Sequence, residues 1–176
     1  MESLRRTLFV TSLVVAGVAC RFLFTDLPNF APVGALALFA GAAFVDKRIA
    51  LILPMIVMLI SDWIIGFHPS VLYVYIGMAV YVALGIWAGR GFNAAKFISA
   101  TFAGSVSFFL ITNFGYFLGY CPKTWQGLID CYAMAIPFFR NTLAGDFLFG
   151  TVLFSSLAIA ERLMPGLRAV APAKTG

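Results

Sequence analysis

Charge is scarce in this sequence. Only 11% of its 176 residues are charged and 62% are hydrophobic, where a soluble domain carries roughly a quarter charged residues. Mean hydropathy is +0.98. Nineteen Phe cannot all hide in one small aqueous core, which excludes a soluble enzyme and a disordered chain. Cysteine is scarce as well. Cys20, Cys121 and Cys131 form no disulfide framework and no metal-finger spacing. The sequence lacks a phosphate-cradling glycine loop, an HExxH helix and any serine–histidine nucleophile arrangement, so ATP hydrolysis, metalloprotease chemistry and nucleophilic hydrolysis are not expected of it. Its halves show no similarity of the kind that builds two-repeat transporters. An all-α integral membrane protein without a motor is what these absences leave.

A helix needs about 20 mostly apolar residues to cross roughly 30 Å of hydrocarbon. On that measure the spans run Thr7–Phe24, Pro32–Val45, Ile49–Phe67, Val71–Ala88, Phe97–Leu118 and Pro137 to about Leu163. The first run has the charged-then-apolar look of a signal peptide, but Ala19-Cys20 continues straight into Arg21-Phe22-Leu23. We therefore read it as a retained helix. Pro32–Val45 is short and interrupted at its start by Pro28-Asn29-Phe30. Gly119–Ala135 reads as a loop with an amphipathic piece, and Pro137 as a first-turn proline. Residues 1–164 then form one six-helix transmembrane domain, with 165–176 a short basic cytoplasmic tail.

Six spans put both termini on one side. Arg5, Arg6, Lys47, Arg48, Arg90, Lys96, Arg162, Arg168 and Lys174 fall on that side, against Arg21, Lys123 and Arg140 on the other. The positive-inside rule makes the terminal side cytoplasmic. The basic residues sit at the ends of apolar runs rather than in a patch, so membrane orientation explains them and a nucleic-acid partner does not.

Most other polar groups gather in the outer half, together with the two outer arginines. Arg21, Asp26, Asn29, Asp62, His68, Tyr73, Tyr75, Asn113, Tyr116, Tyr120, Asp130, Tyr132, Arg140, Asn141 and Asp146 all fall in the outer half. Ionisable groups within a bilayer mark a functional site by default, and a conduction path would spread them over successive depths. Clustered on one side, they describe an outward-facing pocket. Asp62 follows an aliphatic run and calls for a partner, Arg140 or Arg21. His68 overhangs the pocket and has a nitrogen suited to a metal. Tyr73 and Tyr75 lie about 200° apart around their helix, so only one can face inward. Asn113 is either helix glue or a ligand contact. Cys121 and Cys131 flank the outer loop, where a disulfide is open in an oxidising compartment. Small residues recur at four-residue spacing, Ser12, Ala16 and Cys20 in the first span and Ala37 and Gly41 in the second. They serve either packing within the fold or docking of another membrane protein.

A compact six-helix chain with an outer cup and no motor resembles the S-components, the substrate-binding membrane subunits of energy-coupling-factor (ECF) vitamin importers. The segments Asn29-Phe30-Ala31-Pro32-Val33-Gly34-Ala35, Ser61-Asp62, Ile111-Thr112-Asn113-Phe114 and Ile136-Pro137-Phe138-Phe139-Arg140-Asn141-Thr142 look most like the cobalamin-specific BtuM-type subunits. The resemblance implies capture of a corrinoid, cobalamin or cobinamide, at a bacterial cytoplasmic membrane. It also implies a coupling membrane protein with two cytoplasmic ATPases as partner, docked on Ser12, Ala16 and Cys20. No intrinsic cofactor and no catalytic residue are implied. The pocket is expected to comprise Asn29, Asp62, His68, Tyr73, Tyr75, Asn113, Arg140 and Asn141. The BtuM-type subunits carry a cobalt-ligating cysteine near the loop between the third and fourth helices. This chain has no cysteine between Cys20 and Cys121, and His68 stands in that loop as the cobalt ligand to test. Two alternatives accompany this reading. One is the same fold with a different vitamin or precursor, and the other a small membrane enzyme or assembly factor using Asp62 and Arg140.

Overall fold

The computed structural model describes residues 4–21, 27–67, 69–89 and 93–167. His68, Asp26 and the chain beyond Leu167 lie outside the described residues, as do the side chains of Cys20 and Arg21. The fold is all-helical among the described residues: α1 (Leu4–Arg21), α2 (Val33–Ala43), α3 (Lys47–Ile65), α4 (Val71–Ala88), α5 (Ala94–Tyr120) and α6 (Trp125–Leu163). A 3-10 turn at Pro165–Leu167 closes it. Helices α4, α5 and α6 are long and apolar enough to cross a membrane, and α2 is a shorter apolar helix.

Local sequence explains where three of the six helices start. Asp46 accepts the Arg48 amide at the head of α3 at 2.8 Å, Asn93 the Lys96 amide at α5 at 3.0 Å, and Thr124 the Gly127 amide at α6 at 3.0 Å. Each satisfies a donor that a helix leaves unpaired in its first turn. Helix α2 is different. Its N-cap is Pro32, whose side chain makes no capping bond. The chain enters it through Asn29 at φ 60°, a left-handed conformation that asparagine tolerates better than most residues.

Helix α2 is the centre of the molecule. Every residue from Gly34 to Ala43 is buried, and α1, α3, α4, α5 and α6 all pack on it. At 11 residues and ~1.5 Å per residue it spans about half a bilayer. Its small residues bring α4 to backbone contact. A Cβ at Gly41 would overlap the Val82 carbonyl, and one at Gly85 would overlap the Leu38 carbonyl. The Ala37–Gly41 repeat is therefore occupied within the fold. By contrast, Ser12 and Ala16 are exposed on α1, with the Ser12 hydroxyl donating back to the Phe9 carbonyl at 2.7 Å.

The terminal end of the bundle is closed by Arg6. Its guanidinium is 2% exposed, pairs with Glu161 of α6, and donates to the Leu167 carbonyl at 2.7 Å and the Ala43 carbonyl at 3.1 Å. One side chain thus joins α1, α2, α6 and the closing turn. Leu167 is buried, so the tail begins as packed structure.

Helix α6 corrects the sequence expectation. The stretch expected as a loop up to Ala135 is helical from Trp125, and Pro137 lies inside one 39-residue helix rather than in its first turn. The expectation rested on hydropathy, which is low there because these turns are polar. Helix is set instead by the Thr124 cap, a Gln126–Asp130 hydrogen bond at 2.8 Å one turn apart, and the Cys121–Cys131 disulfide. Pro137 lacks the N–H that would pair with Ala133, a loss the helix survives.

The Gly85 contact yields a test. Gly85→Val drives branched carbons into the Leu38 carbonyl, and overpacking of this kind costs about 1–3 kcal/mol. The detergent-solubilised variant is expected to unfold at a clearly lower temperature, whereas Ala83→Val on the exposed face of α4 leaves the midpoint unchanged.

Candidate functional site

Because α2 stops half-way, the space beyond its first turn is not filled by helix. A cavity of about 350 Å³ occupies it. Its floor is Val33 and Gly34 of α2, and its walls come from Met58 and Asp62 of α3, Val74 and Tyr81 of α4, Phe108, Thr112, Asn113 and Tyr116 of α5, and Thr142 and Asp146 of α6. Asn29, Ala31 and Ser70 complete it. A smaller bay of about 70 Å³ adjoins it, sharing Asn29, Phe108, Thr112, Asn113 and Thr142 and walled further by Phe109, Phe138 and Phe139.

The deepest polar group is Asp146, 1% exposed. Its Oδ2 accepts the Tyr81 hydroxyl in a short hydrogen bond and the Ser105 hydroxyl at 2.7 Å. Its Oδ1 has no hydrogen bond of good geometry among the described residues. That oxygen lies against the first turn of α2, where a Cβ on Gly34 would collide with it, and the Ala35 amide faces the carboxylate. Helix α6 thereby supplies the anion that Pro32 cannot, at the positive end of the α2 dipole. The Tyr81 ring fits because Gly34 on one side and Gly104 on the other have no side chain to obstruct it. A buried carboxylate is tolerated when it is hydrogen-bonded, and here two hydroxyls and a helix end do that work.

Asp62 is the second buried carboxylate of the cavity, 6% exposed. Asn113 holds its own helix through a bond from Nδ2 to the Phe109 carbonyl at 2.7 Å and still lines the cavity. Of the residues expected at the pocket, Asn29, Asp62 and Asn113 come together there. Tyr73, Tyr75, Arg140 and Asn141 do not line it. Tyr73 packs on Phe114 with ring centroids 6.3 Å apart and fills the gap left by Gly115, joining α4 to α5. Tyr75 packs against the buried core. Asn141 donates to the Pro28 carbonyl at 3.0 Å, which fixes the approach to α2. Arg140 is exposed on α6, on a face that does not turn toward the cavity. His68 lies outside the described residues. No group of three or more His, Cys, Asp and Glu side chains able to hold a metal occurs among the described residues.

Tyr81 and Ser105 were not singled out from sequence. A tyrosine in an aromatic-rich apolar helix reads like phenylalanine, and nothing in one dimension links it to Asp146. Asp146 itself is legible as a polar residue in the sixth span, but not as the group on which α2, α4 and α5 meet.

Residues 1–167 match the model of a family of unknown function, DUF6580, and the chain belongs to that family. No curated protein and no solved structure matches it.

Removing one hydroxyl tests the cluster. Tyr81→Phe keeps the ring in its slot and takes one donor from Asp146, a loss of about 1–3 kcal/mol where a buried acceptor is left short. A drop in unfolding midpoint is expected, and an unchanged midpoint would mean that the Ser105 hydroxyl suffices alone.

Proposed function

For this member of a family without a known function, we propose the role of a substrate-binding subunit of an ECF-type vitamin importer. Its six helices lie in the bacterial cytoplasmic membrane with both termini cytoplasmic, and the cavity opens outward to capture a small vitamin or precursor. A separate coupling membrane protein with two ATPases would drive release inside, docking on the α1 face of Ser12, Ala16 and Cys20. The observation that carries this reading is the cavity itself. It is a chamber of mixed polar and apolar lining with two buried carboxylates, set in an apolar bundle at the end away from the cationic termini. Such concave sites with a few convergent polar groups are the usual form of a ligand pocket.

Two further features support the orientation. The Cys121–Cys131 disulfide sits at the cavity end, and disulfides persist in oxidising compartments such as the outer side of a bacterial inner membrane. Arg5, Arg6, Lys47, Arg48, Lys96 and Arg162 lie at the other end, as the positive-inside rule requires of a cytoplasmic face.

The volume bears on the ligand. About 350 Å³ is near the bottom of the roughly 300–1,000 Å³ range for ligand pockets, which favours a vitamin or precursor smaller than a corrinoid. A corrinoid with cobalt on His68 is the second reading. It is carried by the resemblance, and it requires the helices around the cavity mouth to part. The enzyme reading loses its pair, since Arg140 is exposed and only Asp62 lines the cavity.

Purification in detergent with cobinamide or cobalamin, followed by removal of free ligand and visible spectroscopy, separates these readings. No retained colour on folded, monodisperse protein is expected if the ligand is smaller, with binding then found in a screen of other vitamins. A retained band that shifts in His68→Ala would make the corrinoid the ligand. Turnover of a bound compound by the purified chain would overturn the transport reading. Orientation is checked in intact cells. Cys121 and Cys131 are expected to react with a membrane-impermeant maleimide only after an impermeant reductant is added outside.

A further inference from the structure

Resting on the reading of the cavity as a substrate site, we infer that its substrate is an uncharged planar-ring compound whose amide is held by Asn29 and Asn113. The ring lies in the adjoining bay. Asn29, Phe108, Thr112, Asn113 and Thr142 line both the main chamber and the bay, so they form the passage between the two. What those side chains offer there decides what can be bound.

The passage offers donors and acceptors together. Thr112 donates to the Phe108 carbonyl at 2.8 Å and Thr142 to the Phe138 carbonyl at 3.1 Å, so each presents hydroxyl lone pairs. Asn113 donates one N–H to the Phe109 carbonyl at 2.7 Å and keeps its Oδ1 and its second N–H. Asn29 brings a further carboxamide, and the Tyr116 hydroxyl adds a donor on the chamber wall. An ammonium group can only donate and a carboxylate can only accept. Either one leaves part of this set desolvated without a partner, which weakens binding. A carboxamide or a ring lactam donates and accepts from neighbouring atoms and satisfies both kinds.

Charge agrees. Among the described residues no lysine or arginine lines the chamber or the bay, so an anion would face Asp62 and Asp146 without a counter-ion. Neither carboxylate calls for a cation. Asp146 spends Oδ2 on Tyr81 and Ser105 and turns its other oxygen to the first turn of α2, where the Ala35 amide faces it. Asp62 is engaged as well. The bay supplies the apolar half of the site. Phe108, Phe109, Phe138 and Phe139 wall it, with the Phe109 and Phe139 ring centroids 4.9 Å apart and their planes at 48°. Rings tilted in this way offer both faces and edges to another ring, the arrangement in which aromatic pairs gain beyond the area they bury.

The experiment uses the full chain in detergent, with binding read by calorimetry at neutral pH. The probes are pyridine-3-carboxamide, pyridine-3-carboxylate, 3-(aminomethyl)pyridine and cyclohexanecarboxamide. The pyridine carboxamide is expected to bind at least tenfold tighter than the carboxylate or the amine, and severalfold tighter than the cyclohexane amide. Asn113→Leu is expected to erase the first preference, and Phe139→Leu to narrow the second. Should Asn113→Leu fail to fold, Asn29→Asp, which keeps a residue suited to the left-handed backbone, is expected to weaken the carboxamide severalfold. Equal or tighter binding of the carboxylate or the amine would overturn the uncharged amide. Equal binding of the cyclohexane amide would overturn the planar ring, and both results leave the substrate site standing. If no probe binds, the vitamin screen decides. A bound vitamin without an uncharged ring amide overturns the assignment alone, and one that carries it and is lost in Asn113→Leu upholds it. Folded protein that binds no vitamin at all overturns the substrate site as well.

Discussion

The structure depends on one helix being too short. Helix α2 has 11 residues, and about 20 are needed to cross the hydrocarbon of a bilayer. In lipid the tails are as apolar as the side chains, so helices associate through close packing rather than exclusion from water. The Gly41–Val82 and Gly85–Leu38 backbone contacts supply that packing, and they let α2 sit at the middle of the bundle with neighbours on all sides. Where α2 ends, the neighbours continue, and the gap above its first turn is the cavity. Fold and site are therefore one arrangement seen from two sides.

A short buried helix leaves two unsatisfied ends inside the bundle, and both are answered from outside α2. At its C-terminal end Arg6 donates to the Ala43 carbonyl, and Lys47 donates to the Gly41 carbonyl at 3.1 Å and to that of Phe44 at 3.0 Å. At its N-terminal end stands the Asp146 carboxylate. Cations thus meet the negative end of the dipole and an anion the positive end, a pairing worth up to about 2 kcal/mol per terminus in partly buried settings. The charges that look anomalous in so apolar a sequence are the ones that make a half-length helix stable inside it.

This logic also separates what was legible in the sequence from what was not. The shortness of the second apolar run and its glycine–alanine spacing were plain, as was the one-sided distribution of Asn29, Asp62 and Asn113. These signals are carried by composition and period, which a linear reading captures. The first turns of α6 were not legible as helix. Their stability comes from a cap, a one-turn side-chain pair and a disulfide rather than from hydropathy, and Pro137 imitated a start. Arg140, expected in the pocket, lies exposed on α6, because which face of a helix turns inward is set by the helices packed against it. Tyr81 and Ser105 were hidden for another reason: their role exists only where α4, α5 and α6 converge on one oxygen.

Asp146 joins the bundle through both of its oxygens. Its Oδ2 is held by Tyr81 and Ser105, which fixes the carboxylate in orientation and offsets part of the cost of burying it. Its Oδ1 lies against the first turn of α2, where the Ala35 amide faces the carboxylate. One side chain of α6 thus ties α4 and α5 through one oxygen and α2 through the other, so four of the helices that wall the cavity share a single anchor. Loss of either hydroxyl would free the carboxylate to turn, and with it the end of the central helix and, through the Gly41 and Gly85 contacts, the helix packed along it.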